Sequence, residues 1–138
     1  MSASVRPGAP DPLDVWVVED NRMLRESLAD LLNEQRDMRC PLAVGTCGDF
    51  LAALDLDEPP DIVLMDIGLP ILNGYEACRR IRSQAWGAPI TMVAITGWGQ
   101  EDDREESNAA GFDLHLVKPV DHDELLRIVG SARPRASA

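Results

Sequence analysis

The feature that most constrains this chain is an alternation. Short apolar runs, several rich in β-branched residues, are separated by longer segments whose apolar residues recur at helical spacing. The runs cover residues 15–18, 42–44, 62–65, 90–95 and 114–117, each too short for a helix and suited to a buried strand. After the first, Leu24, Leu28, Leu31 and Leu32 keep helical register; after the second, Phe50, Leu51 and Leu54 do so more briefly. Asn73 is positioned to cap a third helix carrying Ala77, Cys78 and Ile81 on one face. Asp121 with Glu124 has capping-box spacing before Leu125, Leu126, Ile128 and Val129, the fifth helix. The fourth, near 100–110, is mostly acidic and offers only Ala109 and Ala110 for burial, so it should pack weakly. Five strand–helix units in series predict an α/β fold with a parallel sheet covered on both faces.

The 138 residues suffice for one domain, since a chain near this size buries roughly 68% of the surface its unfolded form exposes. Pro7, Gly8, Pro10 and Pro12 precede the first run, and small or basic residues surround Pro134 at the other end. The expected domain therefore spans 14–131 between tails at 1–13 and 132–138. A net charge of −11 argues against holding nucleic acid, whose phosphates are gripped chiefly by Lys and Arg, and favours a cation as ligand. Cys40, Cys47 and Cys78 form neither a CxxC pair nor an even set, so reduced thiols in cytoplasm are expected. No apolar stretch approaches the roughly 20 residues of a membrane span, and residues 1–13 lack the apolar core of a signal peptide.

Open α/β sheets bind ligands at the carboxyl ends of their strands. Glu19 and Asp20 follow the first run, Asp66 the third, Thr96 the fourth and Lys118 the fifth. Each alone has an ordinary reading: Asp20 or Asn21 as a helix cap, Asp66 and Thr96 as turn residues, Lys118-Pro119 as a loop dipeptide. Together at one sheet edge they suit phosphoryl transfer, where a protein mostly positions groups and neutralises oxygens. Mg²⁺ takes hard oxygen ligands, which Glu19, Asp20 and Asp66 can supply. Asp66, ending a central apolar run, is the candidate nucleophile. Lys118 can pair with the phosphoryl charge, and Thr96 can donate to one of its oxygens.

Four phrases carry a resemblance over most of the chain: Val18-Glu19-Asp20-Asn21; residues 63–70 (VLMDIGLP) with Asn73-Gly74; Ala94-Ile95-Thr96-Gly97; and Val117-Lys118-Pro119. On these the chain resembles the receiver domains of two-component response regulators, including receivers attached to hybrid histidine kinases. The resemblance implies a flavodoxin-like, doubly wound fold with strand order 2-1-3-4-5. It implies Asp66 as phosphoacceptor, Glu19 and Asp20 as the acidic pair, and the Gly68 carbonyl as a further Mg²⁺ ligand. Thr96 and His115 take the switch positions, His115 standing where Tyr or Phe is common, and the Lys118-Pro119 bond should be cis. Gly68 and Trp98 match the positions that set the lifetime of the phosphorylated state. The implied role is that of a phosphoacceptor assisting its own phosphotransfer and slow dephosphorylation, not that of an enzyme. The implied partners are a histidine kinase or histidine phosphotransfer protein, and a downstream protein met through helix 4, strand 5 and helix 5, a face that also admits a homodimer.

Two other readings compete. A Mg²⁺-dependent aspartyl phosphatase would carry a second Asp two residues after the nucleophile, where this chain has Gly68. A receiver-like module that is never phosphorylated would not need Glu19, Asp20, Asp66, Thr96 and Lys118 all retained.

Overall fold

The computed structural model describes residues 12–56, 58–67, 74–97 and 108–131. Within them the apolar runs form five parallel strands: β1 (Leu13–Val18), β2 (Met38–Val44), β3 (Ile62–Asp66), β4 (Thr91–Thr96) and β5 (Leu114–Val117), ordered β2-β1-β3-β4-β5. The helices are α1 (Arg22–Asn33), α2 (Cys47–Leu56), α3 (Gly74–Arg82), a helical stretch at 108–110 (α4) and α5 (His122–Ser131); a 3-10 turn covers Ala85–Gly87. Strand order reverses at β1, which pairs with β2 on one side and β3 on the other. The crevice of a doubly wound sheet opens there, at the carboxyl ends of β1 and β3.

The pleat sorts the strand residues onto two faces. Val15, Val17, Ile62, Leu64, Val93 and Ile95 pack with Leu28, Leu32, Leu125 and Val129 beneath α1 and α5. Trp16, Val63, Met65 and Met92 pack with Phe50, Leu54, Cys78 and Ile81 beneath α2 and α3. Every residue of β3 is buried, which is why it reads as an unbroken apolar run.

Several boundaries differ from the sequence expectation. β2 begins at Met38, upstream of the apolar run at 42: Met38 and Cys40 are buried while Arg39 and Pro41 face solvent. Pro41 is tolerated because β2 is the sheet edge, where a missing N–H forfeits no ladder bond. β1 extends back to Leu13, and β4 is shifted by one residue so that Thr96 lies inside it. The cap of α1 is Asn21, whose side chain accepts from the Leu24 amide at 3.0 Å. Asp121 opens α5 by accepting from the Asp123 amide at 3.0 Å. Of the two alanines expected to anchor the fourth helix, Ala110 is buried and Ala109 exposed. The expected Asn73 cap, residues 1–11 of the first expected tail, the whole second tail and the acidic part of the fourth helix lie outside the described residues, while Leu13, expected in the first tail, is instead buried at the start of β1. Among the described residues no helix is long and apolar enough to cross a membrane.

One side chain ties the amino-terminal edges of the later strands together. The Arg82 guanidinium donates to the carbonyls of Gly111 (2.7 and 2.9 Å), Gly87 (2.9 Å), Ala88 (3.2 Å) and Ile90 (2.7 Å), and to Asp113 Oδ2 (2.7 Å). Gly111 makes this possible twice over: its φ of 111° suits glycine alone, and a Cβ there would stand 2.6 Å from Arg82 Cγ.

Cys40, Cys47 and Cys78 are all buried, no disulfide joins them, and burial pushes each thiol up to about 11. Only the thiolate reacts, so two pH units above the usual value leave roughly 100-fold less of it at pH 8. Native protein should therefore react with Ellman's reagent at least about 100-fold more slowly than protein unfolded in urea. A fast phase of one equivalent in the native state would contradict this.

Candidate functional site

Three strand ends converge on one point. β1 runs directly into Glu19, whose amide still donates to the Val44 carbonyl (2.9 Å), so the side chain enters the crevice from a backbone held in sheet geometry. Arg25 Nη1 donates to the Glu19 carbonyl at 2.9 Å and fixes the same residue from α1. Because Asn21 does the capping, the neighbouring Asp20 carboxylate remains for the site. β3 ends in Asp66, and β5 leads directly into Lys118, whose bond to Pro119 is cis, the isomer that the resemblance implies. The Lys118 amide donates to the Thr96 carbonyl at 2.8 Å, tying the fifth strand end to the fourth.

Lys118 Nζ lies 3.2 Å from both Glu19 Oε2 and Asp66 Oδ2, one ammonium shared between two acids. Glu19, Asp20 and Asp66 bring one carboxylate oxygen each to within 4.8 Å of one another. Glu19 is wholly buried, Asp66 nearly so and Asp20 exposed. Burial, and then the charge of Asp66, push the Glu19 carboxyl up to about 7, against the opposing pull of the Asn21 amide and Lys118. Burial alone would lower Lys118, but the charges of Asp66 and Glu19 outweigh it and hold the ammonium above its ordinary value.

One atom sets this cluster apart from a fully satisfied ion pair. Glu19 Oε2 accepts from Lys118 and from the Asn21 amide (3.1 Å), whereas Oε1, fully buried, has no hydrogen-bond partner among the described residues. A buried carboxylate oxygen without a partner is costly. A hard cation fits the donor set, which is all oxygen on the acidic side and includes an oxygen in need of a partner.

Thr96 ends β4 at the same sheet edge, buried, but its hydroxyl is turned to the Leu116 carbonyl (3.4 Å) rather than to the carboxylates. His115 is half-buried on β5, paired in register with Ala94. Gly68 and Trp98 lie outside the described residues. Arg25 escaped the sequence reading because an arginine in the first turns of a helix looks like an ordinary solvated charge. So did Arg82, whose partners are far away along the chain.

A family model described as the response regulator receiver domain matches residues 15–130. An uncharacterized 14.6 kDa protein of Leptolyngbya boryana is 30% identical over 119 residues, covering 85% of this chain and 87% of that one. The response regulator Rre1 of Synechocystis is 31% identical over 132 residues; the match takes in 93% of this chain but only 55% of that protein. Among solved structures, the receiver domain of a sensor histidine kinase from Pseudomonas aeruginosa superposes with a TM-score of 0.72 at 30% identity, covering 86% of this chain and 94% of that one. That protein has a magnesium ion coordinated in its active-site cleft. With strand order, converging acids and family match in agreement, this chain belongs to the receiver domains of two-component signalling systems.

Proposed function

We propose that Asp66 is a phosphoacceptor, modified in a Mg²⁺-dependent reaction by the phosphohistidine of a histidine kinase or histidine phosphotransfer protein in the cytoplasm, and that the 14–131 domain passes the event to a downstream protein. The observation that carries this reading is the buried, partnerless Glu19 Oε1 beside Asp66 and Lys118.

A bound Mg²⁺ would supply positive charge that offsets the repulsion between these acids and an incoming phosphoryl group. Glu19, Asp20, Asp66 and the Gly68 carbonyl would hold it. An Asp66 carboxylate oxygen attacks phosphorus as the P–N bond to the donor imidazole breaks, and the imidazole keeps the electron pair. Lys118, already 3.2 Å from Asp66 Oδ2, then pairs with the phosphoryl oxygens. The Thr96 hydroxyl, held by a long 3.4 Å bond to Leu116, gives up little by turning to the same oxygens. That turn, with His115 on β5, alters the surface of α4, β5 and α5. Neither Gly68 nor Trp98 offers a general base, so hydrolysis of the product is slow unless a partner assists it. The chain is in this sense a self-assisting acceptor rather than an enzyme.

The test uses a small phosphodonor. Incubation with acetyl phosphate should add one phosphoryl mass with Mg²⁺ present, and EDTA should slow the gain at least about 100-fold, since losing several kcal/mol of charge stabilisation costs that much in rate. Equal rates with and without the metal would refute the Mg²⁺ dependence.

A further inference from the structure

α3 is the basic element of an acidic molecule. The chain carries a net charge of −11, yet α3 ends in Arg79, Arg80 and Arg82. Arg82 is engaged by the carbonyls described above, while Arg79 and Arg80 are exposed. Between α3, α2 and the 3-10 turn lies an open groove of about 180 Å³. Leu51, Leu54, Ile81 and Trp86 line it, with Asp55 and Arg80 also on its walls. Neither Asp55 nor Arg80 makes an ion pair among the described residues.

Trp86, one of three exposed large hydrophobics among the described residues, is at this groove, with 40% exposure. The backbone beside Trp86 is closely held. The turn that carries it closes so tightly that a Cβ on Gly87 would run into the Ile81 carbonyl, and Arg82 clamps the Gly87 and Ala88 carbonyls from below. A ring carried on a fixed backbone loses no backbone entropy on binding, which favours it as an interface anchor.

We propose that this groove is the interface of a two-fold homodimer, in which Trp86 of each copy enters the groove of the other and Asp55 of each meets Arg80 of the other. A two-fold interface needs a patch complementary to itself. This one offers an apolar groove with a partly exposed ring on its wall, and an acid with a base, so each feature finds its counterpart on an identical surface. A foreign acidic partner would satisfy Arg80 and oppose Asp55; a basic one would do the reverse. Over the rest of the surface a second copy is repelled by like charge. The face is separate from that of α4, β5 and α5, and the proposal does not depend on phosphorylation.

The groove is small, so the dimer should be weak, with a dissociation constant on the order of 100 μM. Sedimentation equilibrium of the unmodified full chain, from roughly 10 μM to 1 mM, brackets that constant. The weight-average mass should rise toward that of a dimer. Trp86→Ala and Arg80→Glu should each weaken association at least about tenfold. Arg80→Asp should do the same, and Asp55→Arg combined with Arg80→Asp should restore it. All these side chains are exposed, so unchanged circular dichroism and melting would show that the variants fold. A monomer at every concentration would overturn the proposal. So would a dimer whose constant none of these substitutions moves, or one that forms only with beryllofluoride and Mg²⁺.

Discussion

Asp66→Asn should abolish phosphoryl incorporation while leaving the fold intact. Asparagine keeps the shape of the side chain at the end of β3 but has no charged oxygen to attack phosphorus, so the mass gain from acetyl phosphate should fall by at least about 1,000-fold. The substitution is informative because its structural cost is small. Asp66 is one of two acids on Lys118, and Glu19 remains at 3.2 Å to hold the ammonium. Asp66 also helps to push the Glu19 carboxyl up to about 7, after burial itself, so neutralising it relieves a repulsion inside the crevice. The melting temperature should stay within a few degrees of wild type or rise. A variant that gained one phosphoryl group at the wild-type rate would move the acceptor elsewhere. One that failed to fold would contradict the geometry, in which Lys118 keeps a second acid, Glu19, when Asp66 is neutralised.

The parts of the site that were legible in the sequence are those set by topology. Once β1, β3 and β5 are recognised as buried parallel strands, Glu19, Asp66 and Lys118 must meet, because all three follow the same edge of one sheet. β3 was the easiest strand to recognise because burial on both faces leaves it no polar position before Asp66. The first half of β2 was hidden by the opposite circumstance. Its buried positions, Met38 and Cys40, alternate with Arg39 and Pro41, and proline argues against a strand unless the strand is known to lie at an edge. The choice between Asp20 and Asn21 as the cap of α1 was also beyond the sequence, since both side chains can accept from a helix amide. In the fold Asn21 caps, and Asp20 joins the carboxylate trio.

Arg82 is the clearest case of what a linear reading misses, and its replacement should have the largest effect on stability. In the sequence it is the last arginine of a basic helix end, indistinguishable from Arg79 and Arg80, which face solvent. In the fold it supplies hydrogen bonds to four carbonyls and a carboxylate drawn from segments up to 31 residues away. These are the carbonyls left over where the 3-10 turn enters β4 and where α4 gives way to β5, and backbone groups at such junctions need partners. Arg82→Ala would leave them to water, which reaches the exposed Ala88 readily but Ile90, buried, poorly. It would also take the guanidinium from Asp113, whose Oδ2 additionally accepts from the Met92 amide at 2.9 Å. With unsatisfied groups costing about 1–3 kcal/mol each and solvent recovering part of that, the net loss should be about 2–4 kcal/mol. For a chain of this size that lowers the melting temperature by roughly 10 °C. Arg82→Lys keeps one cation near Asp113 but not the planar fork that reaches several carbonyls at once, so it should recover less than half of the loss. Urea unfolding of the two variants checks this directly. An unfolding free energy for Arg82→Ala within about 1 kcal/mol of wild type would mean that the whole network contributes little, and full recovery by lysine would mean that only the charge pair with Asp113 matters.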